Sequence, residues 1–253
     1  MPIITKTEVV QFYKKGFLIK KNLFKKKYIK IIQNEIQKLS KENNPNKVDK
    51  YYGPNIFNKK KNLLVRIENF YKRNKNLTKM IDSPIIKDIL VELFKSKPTL
   101  FKEKINYKPS GCGPDKLHQD SQAGWYKYTK DFINVLVSIE KSTINNGCLK
   151  IDVSGNNCKR MIKKKMEPLK FKELNNPKFK NLLLGVGDVV LFNSFTPHYS
   201  NSNESKSDRS QIYLTYNKKK DGNFRSKYIS DKRKTYPPHN QQNFNINKYM
   251  YKV

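Results

Sequence analysis

The strongest constraint on the fold is a series of short β-forming runs in the second half of the chain. They cover residues 99–108, 132–140, 147–153, 187–194 and 209–217. The turn signal Asn-Asn-Gly precedes the third run, and no helix-like pattern separates one run from the next. Parallel strands would need crossover helices, so an antiparallel arrangement is favoured. We therefore predict a mainly β sandwich or jelly roll with flanking helices, an α+β chain.

Two amphipathic helices are predicted before these strands. Residues 24–43 place Ile and Leu at helical spacing, and residues 83–96 do the same. The second helix begins with Ser83 as N-cap and Pro84 at the first helical position. The Lys- and Asn-rich region 40–63 between them is expected to be irregular.

The length of 253 residues suits a single domain, covering residues 1–253. Within it we expect a largely helical part at 1–98 and a jelly-roll core at 99–217. Residues 218–253 show little periodicity and form a C-terminal extension that can act as a lid.

The net charge of +32 raises the question of nucleic-acid binding. Of the 53 basic residues only six are Arg, and the Lys residues are spread along the whole chain. Readers of bases and phosphates rely on the planar fork of Arg, so surface lysines of compositional origin are the favoured interpretation. A positive field that steers a small anionic substrate is a second possibility.

No run of about 18 apolar residues is present, so we expect no membrane span and no membrane partner. The first 17 residues lack a long apolar segment and a small-residue cleavage site, so we expect no signal peptide. Three scattered cysteines do not form a disulfide framework. A reduced, cytoplasmic protein is the simplest prediction.

The stretch Leu-His-Gln-Asp contains two candidate metal ligands. His118 and Asp120 lie two residues apart and would point to the same side of an extended segment. A third ligand would complete the two-histidine, one-carboxylate face of non-haem iron oxygenases. The remaining candidates are His198, directly after a strand run, and His239, in the tail. We choose His198, because a strand holds it in place; taken alone, the His-x-Asp pair is usually a surface feature.

Arg209 begins the last strand run, 11 residues after His198. Alternation puts Arg209 and Tyr213 on one face, and Ile212 and Leu214 on the other. An Arg facing the interior needs an anion, and the far carboxylate of a dicarboxylate cosubstrate would supply it. The competing interpretation is a surface Arg in a polar loop.

These segments together resemble a known family. "LHQDSQAGW", "NNGCLKIDVSG", "GDVVLFNSFTPHYS" and "RSQIYLTYN" are similar to the phytanoyl-CoA dioxygenase (PhyH) family of Fe(II)/2-oxoglutarate-dependent oxygenases. The resemblance covers roughly residues 60 to 253. "LLVRIENF", "FKEKINYK" and "DKRKTYPP" look closest to its bacterial branch of 2-aminoethylphosphonate dioxygenase-like enzymes.

The resemblance implies a double-stranded β-helix, the cupin-like jelly roll, with iron held by His118, Asp120 and His198. It implies that 2-oxoglutarate and O2 are cosubstrates and that Arg209 binds the distal carboxylate of 2-oxoglutarate. It further implies cosubstrate contacts from Ser200, Lys104, Asn106 and Gln119. Halogenating relatives lack the carboxylate ligand, so the presence of Asp120 favours hydroxylation, with release of succinate and CO2.

The substrate is expected to be small and polar, charged or zwitterionic, and an aminophosphonate is one candidate. Trp125 lies just past the ligand pair, where it would line the entrance or simply pack in the core. Arg66 and Glu68 would bind opposite charges of a zwitterion or pair with neighbouring elements. Lys232 and Arg233 would close over a phosphonate, or remain solvated in a basic tail.

Two other functions are weighed against the oxygenase. One is a nucleic-acid-binding protein driven by net charge, which would show strongly salt-dependent binding. The other is a jelly-roll module that has lost catalysis, which the presence of all four key residues argues against. The sequence leaves the oligomeric state open.

Overall fold

The computed structural model describes residues 3–164 and 166–241. Its helices are α1 (Lys6–Lys15), α2 (Lys26–Lys41), α3 (Lys75–Ile81), α4 (Pro84–Phe94) and α5 (Arg225–Thr235). Its strands are β1 (Phe17–Lys20), β2 (Asp49–Pro54), β3 (Asn62–Glu68), β4 (Pro98–Lys108), β5 (Asp115–His118), β6 (Phe132–Ser138), β7 (Leu149–Asp152), β8 (Phe179–Asn181), β9 (Val189–Asn193), β10 (His198–Ser200) and β11 (Arg209–Lys218).

The strands form two antiparallel sheets. The large sheet has seven strands in the order β1-β9-β6-β11-β4-β3-β2, and the small sheet has four in the order β5-β10-β7-β8. Neighbours in both sheets are often distant in sequence, as in a jelly roll. The predicted jelly-roll fold class is confirmed.

The two faces of the large sheet have different roles. Its outer face packs against the helices, where Ile32 of α2 and Leu90 of α4 join Ile212 and Leu214 of β11 in one apolar core. Its inner face packs against the small sheet only over part of its area. There Val190 and Phe192 of β9 meet Leu149 and Ile151 of β7. The rest of the space between the sheets is polar and contains the candidate site.

The five predicted strand runs are confirmed as β4, β6, β7, β9 and β11, and the two predicted helices as α2 and α4. The alternation along β11 is also confirmed, because Ile212 and Leu214 face the helices while Tyr213 lies between the sheets. Ser83 occupies the N-cap of α4, but its side chain makes no capping hydrogen bond.

The prediction of an irregular region at 40–63 was wrong. It contains β2 and the start of β3, which pair with each other over Asp49–Pro54 and Asn62–Glu68. Lys and Asn are poor strand formers, but β3 also pairs with β4, and tertiary pairing overrides local propensity. The N-terminal part is therefore less helical than expected, because β1, β2 and β3 all belong to the large sheet.

The tail also departs from expectation, since residues 225–235 form the helix α5. This helix has no apolar stripe. It is held by ion pairs from Arg225 to Glu103, from Lys232 to Glu68 and from Arg233 to Asp49. Periodicity cannot reveal a helix that charges hold in place. Residues 242–253 of the extension lie outside the described residues.

A search of the described residues for a helix long and apolar enough to span a lipid bilayer found none.

Two glycines with positive φ give a matched test of the turn before β9. At Gly187 (φ 87°) an added Cβ would lie 2.0 Å from the carbonyl oxygen of Phe24, whereas at Gly124 (φ 82°) it would meet nothing within 4 Å. We expect Gly124→Ala to lower the free energy of unfolding by about 1 kcal/mol, from backbone strain alone. Gly187→Ala should lower it by roughly 2–5 kcal/mol, because strain and overpacking combine. Urea unfolding measures both, and equal losses would contradict the close approach.

Candidate metal centre and cavity

Two strands of the small sheet bring the predicted histidines together. β5 ends at His118 and β10 begins at His198, and the two residues are directly paired in the antiparallel register. Their imidazole rings lie 4.3 Å apart, centroid to centroid. Asp120 follows two residues after His118, in a short 3-10 turn over Asp120–Ala123.

His118, Asp120 and His198 form a compact cluster of potential ligands. One ligand atom from each lies within 4.8 Å of the others. The Nε2 of His118 is 3.9 Å from one oxygen of Asp120, and the Nε2 of His198 is 3.7 Å from the other. Two imidazoles and one carboxylate on one side of an ion are the donor set of non-haem Fe(II) sites, so the residues fit iron.

The tautomers of both histidines also suit a metal. The Nδ1 of His118 lies 2.6 Å from the carbonyl oxygen of Lys116, and the Nδ1 of His198 lies 2.9 Å from that of Thr196. A carbonyl oxygen only accepts, so each Nδ1 carries the proton and donates it. Each Nε2 therefore keeps a lone pair directed at the centre of the cluster.

Electrostatics keep two of the three side chains in the protonation states that a cation requires. Burial, together with His198, lowers the pKa of His118 to about 4, so its imidazole is neutral at pH 7. Burial acts to raise the pKa of Asp120, but His198 and Lys104 outweigh it, and the pKa lies below its usual value. The cluster thus offers a neutral imidazole at His118 and a carboxylate at Asp120.

A buried pair of side chains on the large sheet orients the carboxylate. The Nδ2 of Asn134 on β6 donates to Asp120 at 2.9 Å, and the hydroxyl of Thr215 on β11 donates to Asn134 at 2.7 Å. Asn134 and Thr215 occupy paired positions on neighbouring strands. The large sheet therefore fixes a ligand that the small sheet and its loop deliver.

Arg209 lies at one end of the space between the sheets. It is buried, and its Nε and one terminal nitrogen donate to the carbonyls of Asn146 (3.1 Å) and Gly147 (2.7 Å). Ser200 and Lys108 line the same pocket. The Nζ of Lys108 donates to Ser200 at 2.7 Å and to Asp115 at 2.8 Å. The predicted Arg209 and Ser200 are therefore neighbours in one basic pocket.

This pocket adjoins a cavity of about 580 Å³, measured to its open mouth, that contains the three ligand side chains. The cavity wall includes the predicted residues Arg66, Lys104, Asn106 and Trp125. Asn106 and Arg66 line both spaces.

Gln119 lies elsewhere, although the resemblance implies a cosubstrate contact. Its side chain is fully buried, and its Nε2 donates to the carbonyls of Asn157, Arg160 and Phe195. Its Oε1 accepts from the backbone of Ile162. Its polar atoms are thus used to tie the ligand-bearing loop to the segment 157–162, and it is absent from the residues that line the cavity.

Lys232 and Arg233 lie away from the ligand cluster. Lys232 pairs with Glu68 and Arg233 with Asp49, and both line a separate small pocket beneath α5. Glu68 lines that pocket and not the cavity, although it also forms an ion pair with Arg66 of the cavity wall at 3.7 Å. His239 contacts Tyr51 edge-on and stacks against Tyr52, and it is not part of the ligand cluster.

Sequence reasoning missed Lys102, Lys108, Asp115 and Asn134. The expectation of surface lysines is wrong for Lys102 and Lys108, which are buried. One signal was available in the run 99–108, because alternation places Lys102, Lys104, Asn106 and Lys108 on one face of a single strand. A strand that is central in its sheet and polar along one face lines a site. Nothing local marks Asn134 as a partner of Asp120.

Comparison with known proteins agrees with this geometry. A family model described as phytanoyl-CoA dioxygenase (PhyH) matches residues 12–211. The chain belongs to the PhyH family. The resemblance found in the sequence motifs is thereby confirmed, and so is the prediction of a non-haem iron, 2-oxoglutarate-dependent dioxygenase.

Two curated relatives of this PhyH-family chain act on phosphonates, according to their names. The chain is 32% identical over 240 residues to 2-aminoethylphosphonate dioxygenase from an uncultured bacterium, HF130_AEPn_1, covering 94% of this chain and 91% of the relative. It is 30% identical over 151 residues to methylphosphonate hydroxylase from Gimesia maris, covering 60% of this chain and 57% of the relative.

Solved structures share the fold at low sequence identity. The apoform of EctD from S. alaskensis has a TM-score of 0.70 at 17% identity, covering 85% of this chain and 78% of EctD. The carbocyclase SnoK from nogalamycin biosynthesis, described as non-heme and alpha ketoglutarate dependent, has a TM-score of 0.68 at 13% identity, with 84% and 83% covered. Both support the jelly-roll architecture.

The hydrogen bond from Asn134 to Asp120 predicts a measurable effect on metal affinity. Asn134→Ala removes the donor that orients the carboxylate, and we expect Fe(II) to bind about 10- to 100-fold more weakly. Thr215→Val removes only the hydroxyl behind Asn134 and should cost less. Anaerobic Fe(II) titration of variants with unchanged circular dichroism measures this, and wild-type affinity in Asn134→Ala would contradict the orienting role.

Proposed function

We propose that this chain hydroxylates an aliphatic C–H bond of a small phosphonate, using Fe(II), 2-oxoglutarate and O2 and releasing succinate and CO2. The observation that carries the proposal is the cluster of His118, Asp120 and His198, with both Nε2 atoms turned inward, in a chain of the PhyH family. Iron bound there would supply the activation of O2 that no side chain can provide.

The protein groups around the cluster have distinct roles in this proposal. His118, Asp120 and His198 hold the iron on one side and leave the opposite side open. Arg209 and Ser200 bind the distal carboxylate of 2-oxoglutarate, and Lys108 adds positive charge to the same pocket. Asn106 lies between that pocket and the cavity, where it contacts the cosubstrate.

The substrate class rests on the relatives and on the charge of the cavity. A 2-aminoethylphosphonate dioxygenase and a methylphosphonate hydroxylase share the phosphonate group, and the first relative spans nearly the whole chain. The cavity wall carries Arg66, Lys102 and Lys104, which favour an anion. We therefore propose 2-aminoethylphosphonate, a zwitterion, or a close analogue as the substrate.

The alternatives are less well supported. Nucleic-acid binding rested on net charge, but Lys102, Lys104 and Lys108 line or adjoin the space between the sheets instead of forming an external stripe. A module without catalysis would have no need for an oriented ligand cluster. A cytoplasmic location stays a prediction, supported by the free, buried state of Cys112, Cys148 and Cys158.

Substrate-dependent succinate formation tests the proposal. With Fe(II), 2-oxoglutarate, O2 and 2-aminoethylphosphonate, the wild type should release succinate and a hydroxylated phosphonate. His118→Ala should abolish this turnover, because two ligands do not hold the ion in place. His239→Ala is the matched control and should retain most of it, since His239 lies outside the cluster. Full activity of His118→Ala would contradict the assignment of His118 as an iron ligand.

Arg209 gives a separate test of the cosubstrate pocket. Arg209→Gln removes a buried, charge-assisted donor, so the KM for 2-oxoglutarate should rise about 10- to 100-fold. Ser200→Ala removes one neutral hydroxyl and should raise it less. Initial rates of succinate formation against 2-oxoglutarate concentration give both values. An unchanged KM in Arg209→Gln would mean that the distal carboxylate binds elsewhere.

A further inference from the structure

The inner face of β4 holds Lys104, whose amine contacts an aromatic ring instead of a carboxylate. The Nζ of Lys104 lies 4.7 Å from the ring centroid of Tyr213. Among the described residues it makes no hydrogen bond and no ion pair. Its neighbours on the strand differ, because Lys102 donates to the hydroxyl of Tyr228 at 3.2 Å and Lys108 pairs with Asp115. Lys104 is therefore the lysine of this face whose amine is available to pair with a bound anion.

Lys104 is one of three cations on the same wall. Lys102 precedes it by two residues on the same strand face. Arg66 on β3 is paired with Asn106, two residues after Lys104, so all three side chains belong to the inner face of the large sheet. All three line the cavity that contains His118, Asp120 and His198.

The nearby carboxylates form ion pairs with residues other than Lys104. Glu68 pairs with Lys232 beneath α5 and, at 3.7 Å, with Arg66, and Asp115 pairs with Lys108 and Ser200. Asp120 faces the two histidines. Burial, together with repulsion from Arg66 and Lys102, lowers the pKa of Lys104 to about 7. An anion placed against Lys104 would offset the repulsion from Arg66 and Lys102.

Arg66 borders both spaces, but the two lysines of this wall lie outside the pocket of Arg209. Lys102 and Lys104 line the iron-site cavity but not the Arg209 pocket, while Lys108, Ser200 and Arg209 line the Arg209 pocket but not the cavity. The structure thus provides positive charge for two anionic groups at once. One is the distal carboxylate of the cosubstrate, and the amines of Lys102 and Lys104 are left for another anionic group in the cavity.

We propose that Lys104, supported by Lys102 and Arg66, binds the phosphonate group of the substrate and selects a dianion over a monoanion. This rests on the proposed function and assigns its specificity to one face of β4. A phosphonate carries up to two negative charges on three acceptor oxygens, which suits a cavity wall with three cationic side chains. A sulfonate of the same shape carries a single charge and gains less from the same wall.

Direct binding tests the proposal without relying on turnover. Isothermal titration of the anaerobic protein loaded with Fe(II) and 2-oxoglutarate gives the Kd of 2-aminoethylphosphonate and of its sulfonate analogue. The wild type should bind the phosphonate at least about 10-fold more tightly than the sulfonate. Lys104→Gln should weaken phosphonate binding about 10- to 100-fold and reduce the ratio between the sulfonate and phosphonate Kd values. Lys104→Arg keeps the positive charge and should retain both the affinity and the ratio.

Two further variants separate the substrate wall from the cosubstrate pocket. Lys108→Gln should raise the KM for 2-oxoglutarate and leave phosphonate affinity nearly unchanged. Lys180→Gln, an exposed residue on β8, controls for loss of one positive charge and should match the wild type. If Lys104→Gln instead raises the KM for 2-oxoglutarate and keeps its phosphonate affinity, Lys104 belongs to the cosubstrate and the proposal is overturned.

A separate result distinguishes failure of the proposed function from failure of the anion site. Methylphosphonate serves as a probe of the anion site alone, because it has no amine. If methylphosphonate binds in a Lys104-dependent way but no phosphonate is oxidised, the proposed anion site is supported and the proposed phosphonate substrate is refuted. Binding of either phosphonate that is indifferent to Lys104→Gln, or absence of phosphonate binding in the wild type, would refute the anion site.

Discussion

The pairing of β5 with β10 sets the position of everything else in the site. It places His118 opposite His198 in the register, so that two imidazoles face one another across a short ladder. Buried polar rings are costly unless they are hydrogen-bonded, and here the backbone carbonyls of Lys116 and Thr196 accept from both Nδ1 atoms. The Nε2 atoms of both histidines point into the same space, and the carboxylate of Asp120 lies within 4 Å of each.

A second consequence is that the space between the sheets is divided. Near β7 and β9 the sheets close on apolar side chains such as Leu149 and Phe192. Beside the ligand cluster, the inner face of β4 carries charge, and the sheets stay apart around a cavity. Lys232 and Arg233 hold α5 through Glu68 and Asp49, so the tail contributes to the support behind that wall.

Local pattern was sufficient for the long elements and insufficient for the short ones. Runs of β-branched or alternating residues predict β4, β6, β9 and β11, and helical spacing of apolar residues predicts α2 and α4. β5 and β10 are four and three residues long, too short for any period to register, yet they carry the two histidines. β2 is formed by pairing partners and α5 by ion pairs, which no local window contains.

The candidate site divides in the same way. The sequence alone indicated the candidate ligands, because it contains only three histidines, of which one lies two residues before an aspartate and another follows a strand run. It also marked Arg209, because alternation turned a rare Arg inward. Alternation along β4 put Lys102 and Lys104 on one face, but only the tertiary structure decided that this face borders the cavity, that Asn134 orients Asp120 and that Gln119 is used structurally. These roles depend on contacts between residues far apart in sequence, and such contacts leave no local pattern.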